Sequence, residues 1–136
     1  ELHVCSDTIL RVVRRPTEAA LTKTSLVVRA DWPEAACAVD KAEAYVTVST
    51  DSVLARYDLS TGRIAFFDKA SGKLRLQEAE YSFMGSKDLG RDAFQVEQRW
   101  DTSAEEGLYG GGGYQNGIVN LRHAPLEMIQ FNTEAE

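Results

Sequence analysis

"STDSVLARYDLSTGRIAFFDKASGKLRLQE", residues 49–78, is the stretch whose reading decides the fold. Three runs, "VLARYD" (53–58), "RIAFFD" (63–68) and "KLRLQE" (73–78), are rich in β-branched, aromatic and other apolar residues. Val53, Ala55 and Tyr57 fall on one side of a period-two repeat, as do Leu74 and Leu76. That alternation argues for half-buried strands rather than helix. Between the runs, "DLSTGR" (58–63) and "DKASGK" (68–73) each place a glycine where a three- to five-residue hairpin loop takes a left-handed residue. The stretch predicts a three-stranded antiparallel meander from Val53 to Gln77.

Working outward, "TILRVVR" (8–14), "TSLVVRA" (24–30), "AYVTVS" (44–49) and "AFQVEQRW" (93–100) carry the same signal, and Phe94, Val96 and Trp100 share one face of the last. The chain also opens on a strand-like "LHV". Strands about ten residues apart with turn chemistry between them are the pattern of a sandwich. Only "WPEAACAVDKAEA" (32–44) has helix-like composition, and the Trp32-Pro33 pair predicts a loop or a single helical turn, because the residue before proline avoids the α region. There is no repeat, low-complexity tract or linker. The expectation is an all-β chain, one antiparallel β-sandwich domain over residues 1–136.

Composition bounds the function. The chain has 136 residues, 43% of them hydrophobic and 26% charged, values ordinary for a globular domain. Its formal net charge is −6 and its basic residues are dispersed, which argues against nucleic acid as a partner. No run approaches the ~20 apolar residues of a membrane span, and no basic-plus-apolar leader is present. The chain begins at Glu1 without an initiator Met and stops at "NTEAE", which reads as a segment excised from a longer protein.

The candidate sites each have a plain structural reading beside them. In "EGLYGGGGYQNGIVN" (106–120) the glycines invite a phosphate cradle, but Gln115 or Asn116 stands where GxGxxG needs its third glycine. No Lys-Ser or Lys-Thr pair follows either, so neither phosphate fingerprint fits. Glycine in a strand instead marks a bulge or a close approach by backbone or ligand. "DKASGK" lacks the further acids of a calcium loop and reads as a hairpin turn. Cys5 and Cys37 match no zinc or CxxC spacing. They read first as two small semi-buried residues and second as a disulfide between neighbouring strands. His3 and His123 are expected to be structural, and Glu105 and Glu106 to form a solvated turn before a strand at Tyr109. No nucleophile–base arrangement, metal set or cofactor motif announces itself.

"LYGGGGYQNGIVNLRHAPLEMIQFNTEAE" (108–136) resembles the signature that closes the N-terminal β-domain of family 31 of the glycoside hydrolases, the α-glucosidases and α-xylosidases. Tyr109, Gly110 and Gly112 match a "YGxG" element, and Gln130, Phe131, Asn132, Thr133 and Glu134 match the strand that ends in Asn-x-Asp or Asn-Thr-Glu. Residues 49–78 are similar to that family's meander, with its "x-G-x-I-x-F-x-D" phrase. The likeness covers about residues 45–136. Gly111 and Gly113 stand where Leu and Gln are frequent, Glu134 where many members have Asp, and the chain stops short of the following "PF".

The resemblance implies a galactose-mutarotase-like sandwich whose C-terminal strands and catalytic (β/α)₈ barrel lie downstream of this chain. It implies a retaining α-glycosidase, with an α-linked oligosaccharide as substrate and both catalytic Asp residues on the barrel, so this segment is expected to be inactive alone and to need no cofactor. Of the two activities, the wording of "NGIVNLRHAPLEMIQFNTE" leans toward an α-xylosidase acting on xyloglucan-type oligosaccharides. By carry-over, Glu134 would face the sugar, with Asn132 and Thr133 shaping its loop; a carboxylate there accepts charge-assisted hydrogen bonds from hydroxyls. Periplasmic or exported placement follows by analogy with polysaccharide-degrading relatives. An incomplete sheet would leave an unpaired edge and favour self-association. An independent carbohydrate-binding module is the alternative, with Trp32, Tyr114 or Trp100 as stacking platforms. A mutarotase-like epimerase would need His3 or His123 beside a carboxylate in one cleft.

Overall fold

The chain is described here by a computed structural model that covers residues 1–16, 31–86, 93–110 and 117–125. These residues fall into two compact units, Glu1–Asp101 and Thr102–Glu136.

The first unit is an all-β antiparallel sandwich. One layer is the hairpin of β1 (Leu2–Ser6) and β2 (Ile9–Val12). The other is a six-stranded sheet in sequential order: β3 (Ala38–Lys41), β4 (Tyr45–Ser49), β5 (Val53–Asp58), β6 (Ile64–Asp68), β7 (Leu74–Ser86) and β8 (Ala93–Asp101). Every neighbouring pair is antiparallel, so the sheet is an unbroken meander.

The two central turns form as their residues dictate. In each, an aspartate carboxylate caps the loop: Asp58 Oδ1 accepts from the N–H groups of Ser60 and Thr61, and Asp68 Oδ1 from that of Ser71. Gly62 and Gly72 then take φ of 70° and 68°, the left-handed region where a side chain is strained. Their N–H groups return to the carbonyls of Asp58 and Asp68.

Register gives the sheet two unlike faces. Val46, Tyr57 and Ile64 lie in one cross-strand row and Val48, Ala55, Phe66 and Leu76 in the next, all on the face toward the hairpin. Thr47, Arg56, Ala65 and Gln77 form a row on the opposite face. The apolar row closes at the far strand with Phe66 against Trp100, ring centroids 6.4 Å apart. Cys5, Ala55, Ile64 and Ala65 are the buried apolar residues of the described chain.

The meander from Val53 to Gln77 matches the sequence reading, as do strands at 9–12, 45–49 and 93–101. The structure departs from it in three places. Residues 31–37 are irregular, as the loop reading of Trp32-Pro33 has it, but Ala38–Lys41 forms a strand within a stretch of helix-like composition: pairing of Val39 with Val48 overrides the local composition. β7 runs on to Ser86 because a bulge at Ala79 turns "YSFMG" into a continued partner of β8. Leu108–Gly110 is not a strand. The strand expected at 24–30 lies outside the described residues.

Among its described residues, the second unit is held by side-chain hydrogen bonds to backbone groups. Asn120 Oδ1 accepts from the N–H groups of Leu108 and Arg122, each at 3.0 Å. Arg122 Nη1 donates to the carbonyls of Ser103 and Glu106. Leu121 N–H reaches the Leu108 carbonyl at 2.7 Å, one rung that does not extend into a ladder among the described residues.

Candidate functional site

Two tethers at opposite ends of β5 hold the hairpin layer on the sheet, and the cleft between the layers opens at one of them. The first is Thr50, 4% exposed. Its Oγ1 donates to the Asp7 carbonyl in the β1–β2 turn at 2.6 Å and accepts from the N–H groups of Ser52 and Val53. The second is Arg14, two residues past β2. Its Nε donates to Glu78 Oε1 at 3.1 Å, its Nη2 to Glu78 Oε2, and the same Nη2 to the Gly62 carbonyl at 2.9 Å.

Glu78 is completely buried, at 0% exposure. A carboxylate out of water must be neutralised and hydrogen-bonded to persist as an ion. Here Gln98 Nε2 adds a bond to Oε1 at 2.7 Å and the Ile64 N–H one to Oε2 at 3.2 Å, so both oxygens are occupied. The Arg14 guanidinium lies 3.7 Å from the centroid of the Tyr81 ring, which shields its other face. A carboxylate so fully engaged is a structural pin, not a general acid or nucleophile.

Beside this pin is a half-open cavity of about 460 Å³ between the layers. Leu2, Val12, Val46, Val48 and Phe83 are among its apolar lining residues, and Arg14 lines it as well. Such a lining accommodates apolar groups and presents no nucleophile–base pair.

The residues singled out from sequence are placed as follows. Asn132, Thr133 and Glu134 lie outside the described residues, as do Tyr114 and the glycines 111–113. Gly110 has φ of 106°, so the first glycine of the run occupies a conformation that side chains disfavour. Tyr109 is 70% exposed, and its ring folds back so closely that a Cβ on Gly107 would stand 2.5 Å from it. Glu105 and Glu106 are exposed in a turn that Ser103 caps.

Cys5 is buried and Cys37 exposed, and both are free thiols. His3 meets Glu1 at 3.1 Å on the surface, where each side chain is about half exposed (47% and 49%). His123, at φ 63°, takes the Arg122 Nε–H at 3.2 Å. Of the aromatic platforms, Trp100 packs against Phe66, whereas Trp32 is 39% exposed on an irregular segment. Among the described residues, no group of three His, Cys, Asp or Glu side chains is placed to hold a metal, and no helix is long and apolar enough to cross a membrane.

Sequence reasoning missed Arg14 and Glu78 as a pair. They are 64 residues apart, and nothing in "RVVRR" or "LQEAEY" marks either one. Asn120 and Arg122 were missed for the same reason: clamps on backbone groups leave no motif.

No family profile matches the sequence. Among solved structures, the chain is similar to the GH31 alpha-xylosidase (Xac1773) from Xanthomonas citri, with 32% identity over 63% of this chain and a TM-score of 0.59. The chain is related to the N-terminal β-domain of family 31 glycoside hydrolases. The matched part spans 10% of the length of that enzyme. A glycosidase-related β-domain is therefore the frame for the site, and among the described residues its one buried acid is already paired.

Proposed function

We propose that this chain is the N-terminal, non-catalytic β-sandwich domain of a retaining α-glycosidase, an α-xylosidase or α-glucosidase, working beside a (β/α)₈ barrel. The observation that carries the reading is the 32% identity to an α-xylosidase over 63% of the chain, joined to a matching sandwich. Retaining glycoside hydrolysis uses two carboxyl groups about 5–5.5 Å apart, one as nucleophile and one as acid/base. Glu78 is committed to Arg14 and Gln98 and is unsuited to either role. A barrel takes about 250 residues of its own. The domain's contribution is then geometric: it supports the barrel and, through Asn132, Thr133 and Glu134, walls the sugar subsite. Positioning of that kind lowers a barrier without contact with the breaking bond.

In isolation the domain self-associates. Among the described residues β3 and β8 end the sheet, and Val39, Phe94 and Val96 expose 56%, 44% and 62% of their surface on the apolar side. Sedimentation that shows a monomer at all concentrations counts against this.

The deciding experiment is to capture the protein from its native cell, measure its intact mass and assay it on α-xylosides and α-glucosides. A species several times heavier than 15.0 kDa that cleaves one of them supports the proposal. A native product near 15 kDa that binds oligosaccharide without cleaving it favours an independent carbohydrate-binding module, with the exposed Trp32 as its platform.

A further inference from the structure

The face of the sheet turned away from the hairpin carries a second depression, of about 240 Å³. Its origin is local. In the cross-strand row Arg56–Ala65–Gln77, a methyl group stands between two long side chains and leaves a pit. Tyr45, Asp58 and Arg63 close its end. The volume is below the range of drug-sized pockets and suits a single sugar ring.

The charges in this pit are unmatched. Arg14, Arg15, Arg75 and Arg99 each pair with a carboxylate. Among the described residues, the guanidinium groups of Arg56 and Arg63 have neither an ion pair nor a hydrogen bond. Arg56 is nevertheless held in place, 5.0 Å from the Tyr45 ring centroid and 4.8 Å from that of Phe67. A stacked guanidinium loses less freedom when it binds, and its planar fork matches a carboxylate.

Acceptors stand beside these donors. Asp58 spends Oδ1 on the turn and keeps Oδ2 available. Gln77 donates its Nε2 to Asp101 at 3.2 Å, which fixes the amide and leaves Oε1 to accept. Thr61 adds a hydroxyl.

We infer that this pit binds a sugar acid, a hexuronate-type ring whose carboxylate lies on Arg56 and Arg63 and whose hydroxyls donate to Asp58 and Gln77. A bare sulfate would satisfy the arginines but bring no hydroxyl to donate to Asp58 or Gln77. A neutral sugar would satisfy Asp58 and Gln77 but leave both guanidinium groups unmatched. Only a ligand with one anionic group and several hydroxyls uses the whole lining. The choice of a sugar over other hydroxy acids rests on the relation to glycoside hydrolases. It does not rest on the placement of Asn132–Glu134, and binding of the glucuronide at this pit is read out separately from cleavage of any α-glycoside, so failure of one is distinguishable from failure of the other.

The test is an amide-resolved NMR titration of the chain with methyl α-D-glucuronide, methyl α-D-glucoside and acetate. The expected result is saturable shifts centred on residues 45, 56, 58, 63 and 77, with the glucuronide bound at least tenfold more tightly than either control. Arg56→Gln and Arg63→Gln, both at exposed positions that leave the fold intact, should each weaken it tenfold or more. Equal binding of the glucoside, equal binding of acetate, shifts centred elsewhere or unchanged affinity in both variants would overturn the inference.

Discussion

Consider a double-mutant cycle on the pin between the layers, Arg14→Leu and Glu78→Leu. Glu78→Leu leaves the Arg14 guanidinium, only 16% exposed, with no counter-charge, and it orphans the Ile64 N–H, while the amide of exposed Gln98 turns to water. Removal of one partner from a buried pair costs about 3–5 kcal/mol. Arg14→Leu leaves a carboxylate of 0% exposure with two neutral donors and also removes the Tyr81 contact, so its cost falls in the same range of about 3–5 kcal/mol. The double variant buries no charge. What remains is the orphaned Ile64 N–H and Gly62 carbonyl, at about 1–3 kcal/mol for each unsatisfied group. The two losses are therefore less than additive, with a coupling of about 4 kcal/mol at the middle of these ranges, outside the ~0.5 kcal/mol scatter for independent sites. Urea unfolding followed by far-ultraviolet circular dichroism measures all four corners. Glu78→Gln serves as a milder single variant if the leucine variant does not fold. Because the pair is out of water, the coupling should change little between low and high salt. Additivity within about 0.5 kcal/mol would refute the argument that the ions are mutually dependent.

Three further predictions concern the turns and the thiols. Gly62→Ala should cost more than Gly72→Ala in the same urea assay. Both positions carry the ~1–2 kcal/mol left-handed penalty, but a Cβ on Gly62 stands 2.9 Å from Tyr81 Oη and 3.3 Å from Tyr57 Oη, whereas Gly72 has nothing within 4 Å. Tyr81→Phe should narrow that gap, and equal costs would show that the contact is immaterial. Asp58 is held well below its ordinary pKa of 3.8, to about 2, chiefly by the Ser60 hydroxyl and then the Thr61 N–H. Asp68 is lowered equally, first by the Ser71 hydroxyl and then by its N–H. A depressed folded pKa gives stability that is complete above the unfolded value and is lost as pH falls through the folded one. The unfolding midpoint should thus decline from about pH 4 toward pH 2, and an Asp58→Asn/Asp68→Asn variant should decline less; an unchanged slope would remove the two caps from the account. Ellman's reagent should titrate Cys37 rapidly and Cys5 only after denaturation, since one thiol is exposed and the other 2% exposed. Two fast equivalents would mean that the hairpin layer is not seated.

The meander was legible because its information is local. Two Asp-to-Gly loops of matching pattern set two hairpins, and period-two alternation set which face is apolar. Val53, Ala55 and Tyr57 do lie on one face, as do Phe94, Val96 and Trp100. Where the reading failed, the determinant was a partner strand. "AVDK" has no strand signal of its own and becomes β3 because β4 offers it a ladder. The extension of β7 past Glu78 depends on a bulge that only the register with β8 reveals. The candidate site divides the same way. Glycines that demand positive φ, at 62, 72 and 110, are visible as glycines in the sequence. The Arg14–Glu78 pin and the Arg56–Ala65–Gln77 pit come from residues brought together by strand order, and no spacing in the sequence encodes them.

Turn chemistry and layer docking are one problem in this sandwich. Gly62 is the left-handed residue that closes the β5–β6 hairpin; its carbonyl receives Arg14, and its bare Cα lets the Tyr57 and Tyr81 hydroxyls approach. At the other end of β5, Thr50 shapes the β4–β5 turn with the lone pairs of Oγ1 and reaches the hairpin with its proton. Each tether is thus built from a turn that already had to form for the meander to exist. The hairpin cannot dock until both turns are made, and both then gain a contact that a lone meander lacks. With four buried apolar side chains among the described residues, hydrophobic burial alone is a weak glue for two such layers. The polar tethers set where the hairpin sits. Among the described residues, that placement leaves the hairpin on one face of the sheet and the unmatched arginines on the other.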